Sequence, residues 1–166
     1  MLKLNLGCGG FPLKGFLNFD SRGDLSNIFK ERNEEFLIID NWKFQDGLFF
    51  KENSVNAITV SHALMYLKVE EYVYVFQEIH RILKPKGVFR VTEDSCERPE
   101  EELKQDNLPW GNPASVTGLT TMANELLKVF TLVEIITPEF TNFIDNSLIQ
   151  QNHGTPPRVF HIEAIK

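Results

Sequence analysis

The residues best placed to do chemistry stand at the ends of apolar runs. Gly7, Cys8, Gly9 and Gly10 directly follow the run Leu2 to Leu6. A glycine cluster where a buried strand ends lets the backbone approach a ligand closely, because no side chain stands in the way. Asp20 ends the short run from Phe16, Asp40 ends Phe36-Leu37-Ile38-Ile39, Ser61-His62 follow Val55 to Val60, and Glu93-Asp94 follow Val88 to Thr92. His62 is a candidate general base, since an ordinary histidine titrates near neutral pH. Tyr66, Glu93 and Asp94 are weaker candidates for that role, and the acidic pair also suits the cap of a following segment.

The elements that must position these residues follow from periodicity. Leu25, Ile28 and Phe29 recur at helical spacing after the capping-type residues Ser21 to Asp24, so a short helix is expected after the second strand. Tyr72, Phe76, Ile79 and Leu83 share one helical face, with Glu70 and Glu71 in the first turn and Arg81 and Lys84 in the last. Pro85 and Gly87 end that helix. Leu119, Met122, Ala123, Leu126, Leu127 and Phe130 mark another, followed by a strand at 132–137. At the end of the chain Phe160, Ile162 and Ala164 alternate with His161 and Glu163, which predicts a strand with one face less buried than the other. The connection from Gly10 to Phe16 leaves little room for a helix.

Strands alternating with helices predict a parallel sheet covered on both faces. Ligands of such sheets bind outside the strand carboxyl ends, near the point where strand order reverses. Gly7 to Gly10, Asp20, Asp40, Ser61-His62 and Glu93-Asp94 all fall at those ends. The loop from Cys96 to Ser115 is a candidate lid, and it, the segment after His62 and the irregular stretch from Phe140 to Pro157 are the candidates for the wall of the ligand site.

The 166 residues suit a single domain, 1–166. Hydrophobic residues at 42% and charged residues at 24% are ordinary for a folded protein and set disorder aside. A net charge of -6 with scattered lysines and arginines argues against nucleic acid as a partner. With two cysteines, Cys8 and Cys96, there is neither a disulfide framework nor a zinc set, and a reducing cytoplasm fits. Cys8 reads as a small buried residue. No apolar run is long enough to span a bilayer.

Asn5-Leu6-Gly7-Cys8-Gly9-Gly10, Gly15 to Asp20, Asn53-Ser54-Val55 with Ser61 to Leu64, and Glu78 to Gly87 occur in this order and spacing. Together they resemble the motifs of the class I S-adenosylmethionine-dependent methyltransferases, and the resemblance covers nearly the whole chain. It implies an α/β, Rossmann-like doubly wound sheet of seven strands, mostly parallel with an antiparallel C-terminal strand. It also implies S-adenosylmethionine as cofactor and no metal. Gly7, Cys8 and Gly9 would then lie against the methionine part, and Asp20 would accept the ribose hydroxyls. Asp40 or Asn41 would meet the adenine amino group, with Asp46 as the rival to Asp40. Trp42 would offer a flat wall or cover the core, and Ser61 and His62 would flank the sulfonium. Asn5 stands where the family often has an acid, and Lys86 where it has glycine.

Other readings are weaker. A nicotinamide-binding G-x-G-x-x-G would need its third glycine at Pro12, which lacks an amide hydrogen. A non-catalytic cofactor-binding or partner-binding module of the same fold is the alternative from another class. The expected substrate is a small-molecule or sugar-containing acceptor. A second copy or a partner protein is the expected means of completing the acceptor site.

Overall fold

The structure, a computed structural model, describes residues 1–94, 114, 117–136 and 159–166. Strand β1 (Lys3–Leu6) runs parallel to β2 (Leu17–Phe19) on one side and to β4 (Val55–Ser61) on the other. β3 (Leu37–Ile39) lies outside β2, and β5 (Leu83–Asp94) lies beyond β4, both again parallel. β7 (Val159–Ile165) is antiparallel to both β5 and β6 (Leu132–Ile135), which completes the order β3-β2-β1-β4-β5-β7-β6. This is the expected mostly parallel sheet with an antiparallel C-terminal strand. The chain lays strands outward from β1 on one side, then returns to build on the other, so the switch point lies between β1 and β4.

One face of the sheet is apolar. Leu4, Leu6, Ile58, Val60, Phe89 and Val91 form one core with Tyr72, Phe76 and Ile79 of α2 (Val69–Ile82) and Met122 and Leu126 of α3 (Leu119–Leu127). Each such side chain contributes about 1.5–3 kcal/mol by leaving water. Glu71 accepts the Lys68 N–H at the start of α2, but the helix stops at Ile82, so Leu83 and Lys84, expected in its last turn, instead open β5. At the other end of α2 the Lys166 ammonium donates to the His80 and Arg81 carbonyls.

The opposite face is built differently. α1 (Leu25–Glu31) covers its outer part, where Leu25 and Phe29 pack with Cys8, Phe36 and Ile38. Between β1 and β2 there is no helix. The loop instead places Leu13 and Phe16 on Ala57 and is tied to Asn18, whose carbonyl accepts the Leu13 N–H at 2.7 Å and the Asn5 amide at 2.9 Å. Asn5 also donates to the Phe11 carbonyl.

Further along this face the sheet turns polar. Asn18, Asn5, Thr59, Arg90 and Glu163 stand opposite one another in register from β2 to β7, and all are buried. This corrects the expectation that one face of the final strand is less buried than the other, since His161 and Glu163 are buried like Phe160, Ile162 and Ala164. Glu163 is fully buried, as is Arg90, and the two form an ion pair through Arg90 Nε and Nη2. His161 is also buried, held by Thr92. Their alternation with apolar residues marks two chemically different faces that are both covered.

The lid and wall candidates at 96–115 and 140–157 lie outside the described residues, apart from Ala114. Among the described residues no helix is long and apolar enough to cross a membrane, and no three His, Cys, Asp or Glu are grouped to hold a metal.

Candidate active site

The loop after β1 is held from below and open above. Gly7 has φ +68, and a Cβ there would lie 2.4 Å from the Ala63 Cβ, so the position requires glycine both for its conformation and for the close approach. A Cβ at Gly9 or Gly10 would meet nothing within 4 Å among the described residues. The Cys8 N–H donates to the Phe19 carbonyl at 2.9 Å, and the Gly9 N–H donates to Asp20 Oδ2 at 2.7 Å. Burial, followed by the negative charge of Asp20, pushes the Cys8 thiol up to about 12, so it remains a protonated packing group.

Asp20 is the centre of the neighbouring turn. Its Oδ1 accepts the Arg22 N–H at 3.0 Å and faces Arg22 Nε at 3.4 Å. Its backbone N–H donates to Ile39 and its carbonyl accepts the Trp42 N–H, which stitches the ends of β2 and β3 together. Asp40 turns the other way, accepting the backbone N–H and hydroxyl of Ser26 in the first turn of α1. Asp46 accepts the Lys43 N–H and closes a 3-10 turn over Phe44–Asp46. Trp42 is buried edge-on between Phe19 and Phe44, with its indole N–H donated to Gly47 at 2.9 Å. Asn41, at φ +59, is exposed, and its side chain packs against Gly23.

The loop after β4 is braced from three directions. Glu93 Oε1 accepts the Ala63 N–H at 3.1 Å and the Leu64 N–H at 2.9 Å. Tyr72 donates its hydroxyl to the Leu64 carbonyl and lies 2.7 Å from Thr117 Oγ1. The Ala114 N–H donates to Met65. His62 sits in this loop at φ +50, a strained conformation for a residue with a Cβ, with its N–H on the Thr92 carbonyl. Ser61 Oγ is buried with no hydrogen-bond partner among the described residues. Beside it burial, followed by the charges of Arg90 and His62, pushes His161 down to about 4, so its ring is neutral.

The structure therefore brings Gly7, Cys8, Gly9, Asp20, Ser61 and His62 to neighbouring strand ends across the switch point. It directs Asn5, Asp40 and Trp42 into internal contacts. Glu93, a weak candidate base, supports the loop that carries His62. Sequence reasoning missed Arg22 and the Arg90–Glu163 pair. A basic residue two positions after a strand-end acid was the available signal for Arg22.

A family model described as a methyltransferase domain matches residues 4–91, more than half of the chain. The chain belongs to this methyltransferase family. Solved structures agree on the fold of the methyltransferase. An S-adenosylmethionine-dependent methyltransferase of Archaeoglobus fulgidus superposes with a TM-score of 0.68 at 13% identity, covering 99% of this chain and 85% of that one. One from Thermotoga maritima gives 0.66 at 14% identity, over 99% and 82%. A Haloferax volcanii protein from a complex with the Trm112 methyltransferase activator gives 0.63 at 14%, over 98% and 81%. No curated protein sequence matches the methyltransferase.

S-adenosylmethionine is the cofactor that family and fold imply, and the residues present fit it. The open side of Gly9 and Gly10 leaves room for a ligand against bare backbone, the Asp20 carboxylate stands at the edge of that space, and Ser61 Oγ has no partner among the described residues.

Proposed function

We propose that the methyltransferase transfers the methyl group of S-adenosylmethionine to a small-molecule acceptor at the carboxyl ends of β1, β2 and β4. The observation that carries this reading is the glycine loop, pressed onto Ala63 at Gly7, open at Gly9 and Gly10, and gripped by Asp20. When bound, the cofactor supplies a methyl group on a sulfonium that is already a good leaving group. The protein's share is then alignment and exclusion of water.

In this reading Gly7, Cys8 and Gly9 form the floor for the methionine part, and Asp20 accepts the ribose hydroxyls. Asn41 meets the adenine amino group, while Asp40 and Trp42 shape that pocket from behind through Ser26 and Phe19. Asn5 holds the loop in place through Asn18 and Phe11. Ser61 and His62 flank the reacting centre, and His62 takes a proton where the acceptor carries one to lose.

An acceptor that is small, or contains a sugar, is favoured by the net charge of -6 without a basic cluster. The Thermotoga maritima neighbour is described as a possible histamine N-methyltransferase, a small-amine reaction in keeping with this choice. A second copy or a partner protein completes the acceptor wall, as an activator accompanies the Haloferax volcanii neighbour.

Titration calorimetry with S-adenosylhomocysteine tests the cofactor reading. Wild type binds it, and Asp20→Ala, with an unchanged circular dichroism spectrum, binds at least about tenfold more weakly through lost hydrogen bonds to a charged group. An unchanged dissociation constant removes Asp20 from the site. Release of S-adenosylhomocysteine with a panel of small amines, phenols and sugar nucleotides tests the acceptor. Turnover confined to protein or RNA overturns the small-molecule assignment.

A further inference from the structure

The acid assigned to the cofactor ribose is not free in the ligand-free protein. Gly9 N–H donates to one carboxylate oxygen of Asp20 at 2.7 Å. The other oxygen receives the Arg22 N–H at 3.0 Å and faces Arg22 Nε at 3.4 Å. A carboxylate has about four lone-pair sites, and a ribose diol uses two of them. Two N–H groups already fill sites, so the diol needs the two that remain, and the guanidinium, ion-paired at 3.4 Å, stands against one of them.

Of these contacts to the carboxylate only the guanidinium can leave. The backbone of the turn is locked, since Asp20 N–H is bound to Ile39, the Asp20 carbonyl to Trp42 N–H, and the Arg22 carbonyl to Asn41 N–H at 3.0 Å. Gly23 is pressed against the Asn41 side chain, where a Cβ would come within 2.6 Å of its oxygen. The Arg22 side chain is 33% exposed whereas that of Asp20 is 9% exposed. The guanidinium can therefore swing into water while the carboxylate and the two N–H groups stay where they are.

We propose that Arg22 is a resident competitor for the ribose-binding carboxylate, an internal cation that fills the diol site until the cofactor displaces it. This rests on Asp20 being the ribose ligand. The pair neutralises a mostly buried carboxylate in the free protein, which would otherwise be desolvated without a counter-charge. It lowers cofactor affinity by the strength of the contact that must be broken, and that contact is weak because it is partly exposed. The competition also makes the site selective, because only a ligand that offers two hydroxyls repays the lost ion pair.

Calorimetry with S-adenosylhomocysteine and its 2′,3′-dideoxy analogue, on wild type and Arg22→Met, separates the outcomes. The expected result is that Arg22→Met binds S-adenosylhomocysteine about two- to fivefold more tightly and binds the dideoxy analogue as wild type does. Raising the salt concentration should narrow the difference between the two proteins. Weaker binding of S-adenosylhomocysteine by Arg22→Met, or an equal change for both ligands, overturns the proposal by making Arg22 a direct contact or a structural residue. Failure of the underlying reading looks different. Wild type then binds both ligands alike, and Asp20→Asn changes neither.

Discussion

At the scale of single residues, the backbone conformation of Lys86 carries a testable cost. It lies at φ +65 in the turn inside β5, where the resembling family has glycine, and its N–H is tied to the Lys166 carbonyl. A left-handed conformation costs a side chain about 1–2 kcal/mol, partly offset by the greater freedom glycine has when unfolded. Lys86→Gly should therefore stabilise the protein by about 0.5–1 kcal/mol in urea denaturation, and a loss of stability would show that the Lys86 side chain contributes more than the turn costs. His161 gives a second test. Its folded pKa of about 4 lies below the ordinary 6.5, so between these values the unfolded chain binds a proton that the folded protein does not. Stability from this group is complete above pH 6.5 and is lost as pH falls toward 4. Between pH 7 and 4.5 the wild type should lose about 2 kcal/mol more than His161→Gln. Parallel pH profiles of the two proteins would show that burial does not hold His161 neutral.

At the scale of elements, the loop after β4 depends on support from β5 and α2. Glu93 accepts two consecutive loop N–H groups from within the core. Glu93→Ala should leave both buried and unpaired, loosen His62 and Ala63, and lower kcat by roughly tenfold or more. Glu93→Gln keeps an acceptor oxygen and should recover most of that loss, whereas a residue acting as a base would not be rescued. These supports show what could be read from the sequence. The β4 run and α2 were legible because Val55 to Val60 is rich in β-branched residues and Tyr72, Phe76 and Ile79 recur on one face. The glycine loop and Asp20 were legible because they follow apolar runs directly. Glu93 at the end of β5 looked like a catalytic candidate or a cap, since which way a strand-end acid turns depends on the partner loop. Trp42 and Asp40 shared that ambiguity, and tertiary contacts with Phe19 and Ser26 resolved it toward the interior. His161 and Glu163 misled for a related reason. Alternation reports two different faces, and here the polar one is buried as well.

At the scale of the whole molecule, the sheet joins an apolar face that holds α2 and α3 to a face crossed by a buried polar row. Asn18, Asn5, Thr59, Arg90 and Glu163 link five strands, and the row ends in an ion pair almost wholly out of water. Burying two charges costs several kcal/mol per ion, and their attraction repays this only when the remaining hydrogen-bonding positions are filled. Arg90 Nη1 is buried with no partner among the described residues, and burial lowers the Arg90 pKa. The pair should therefore contribute little to stability while being costly to break. Arg90→Met alone removes the guanidinium that faces the buried Glu163 carboxylate and should destabilise by about 3–5 kcal/mol. Arg90→Met combined with Glu163→Leu fills the same space with apolar atoms and should return to within about 1 kcal/mol of wild type or exceed it. Urea denaturation of the wild type, both single variants and the double variant forms a closed cycle that isolates the coupling. If the double variant is as unstable as the worse single one, the ion pair stabilises the sheet in its own right.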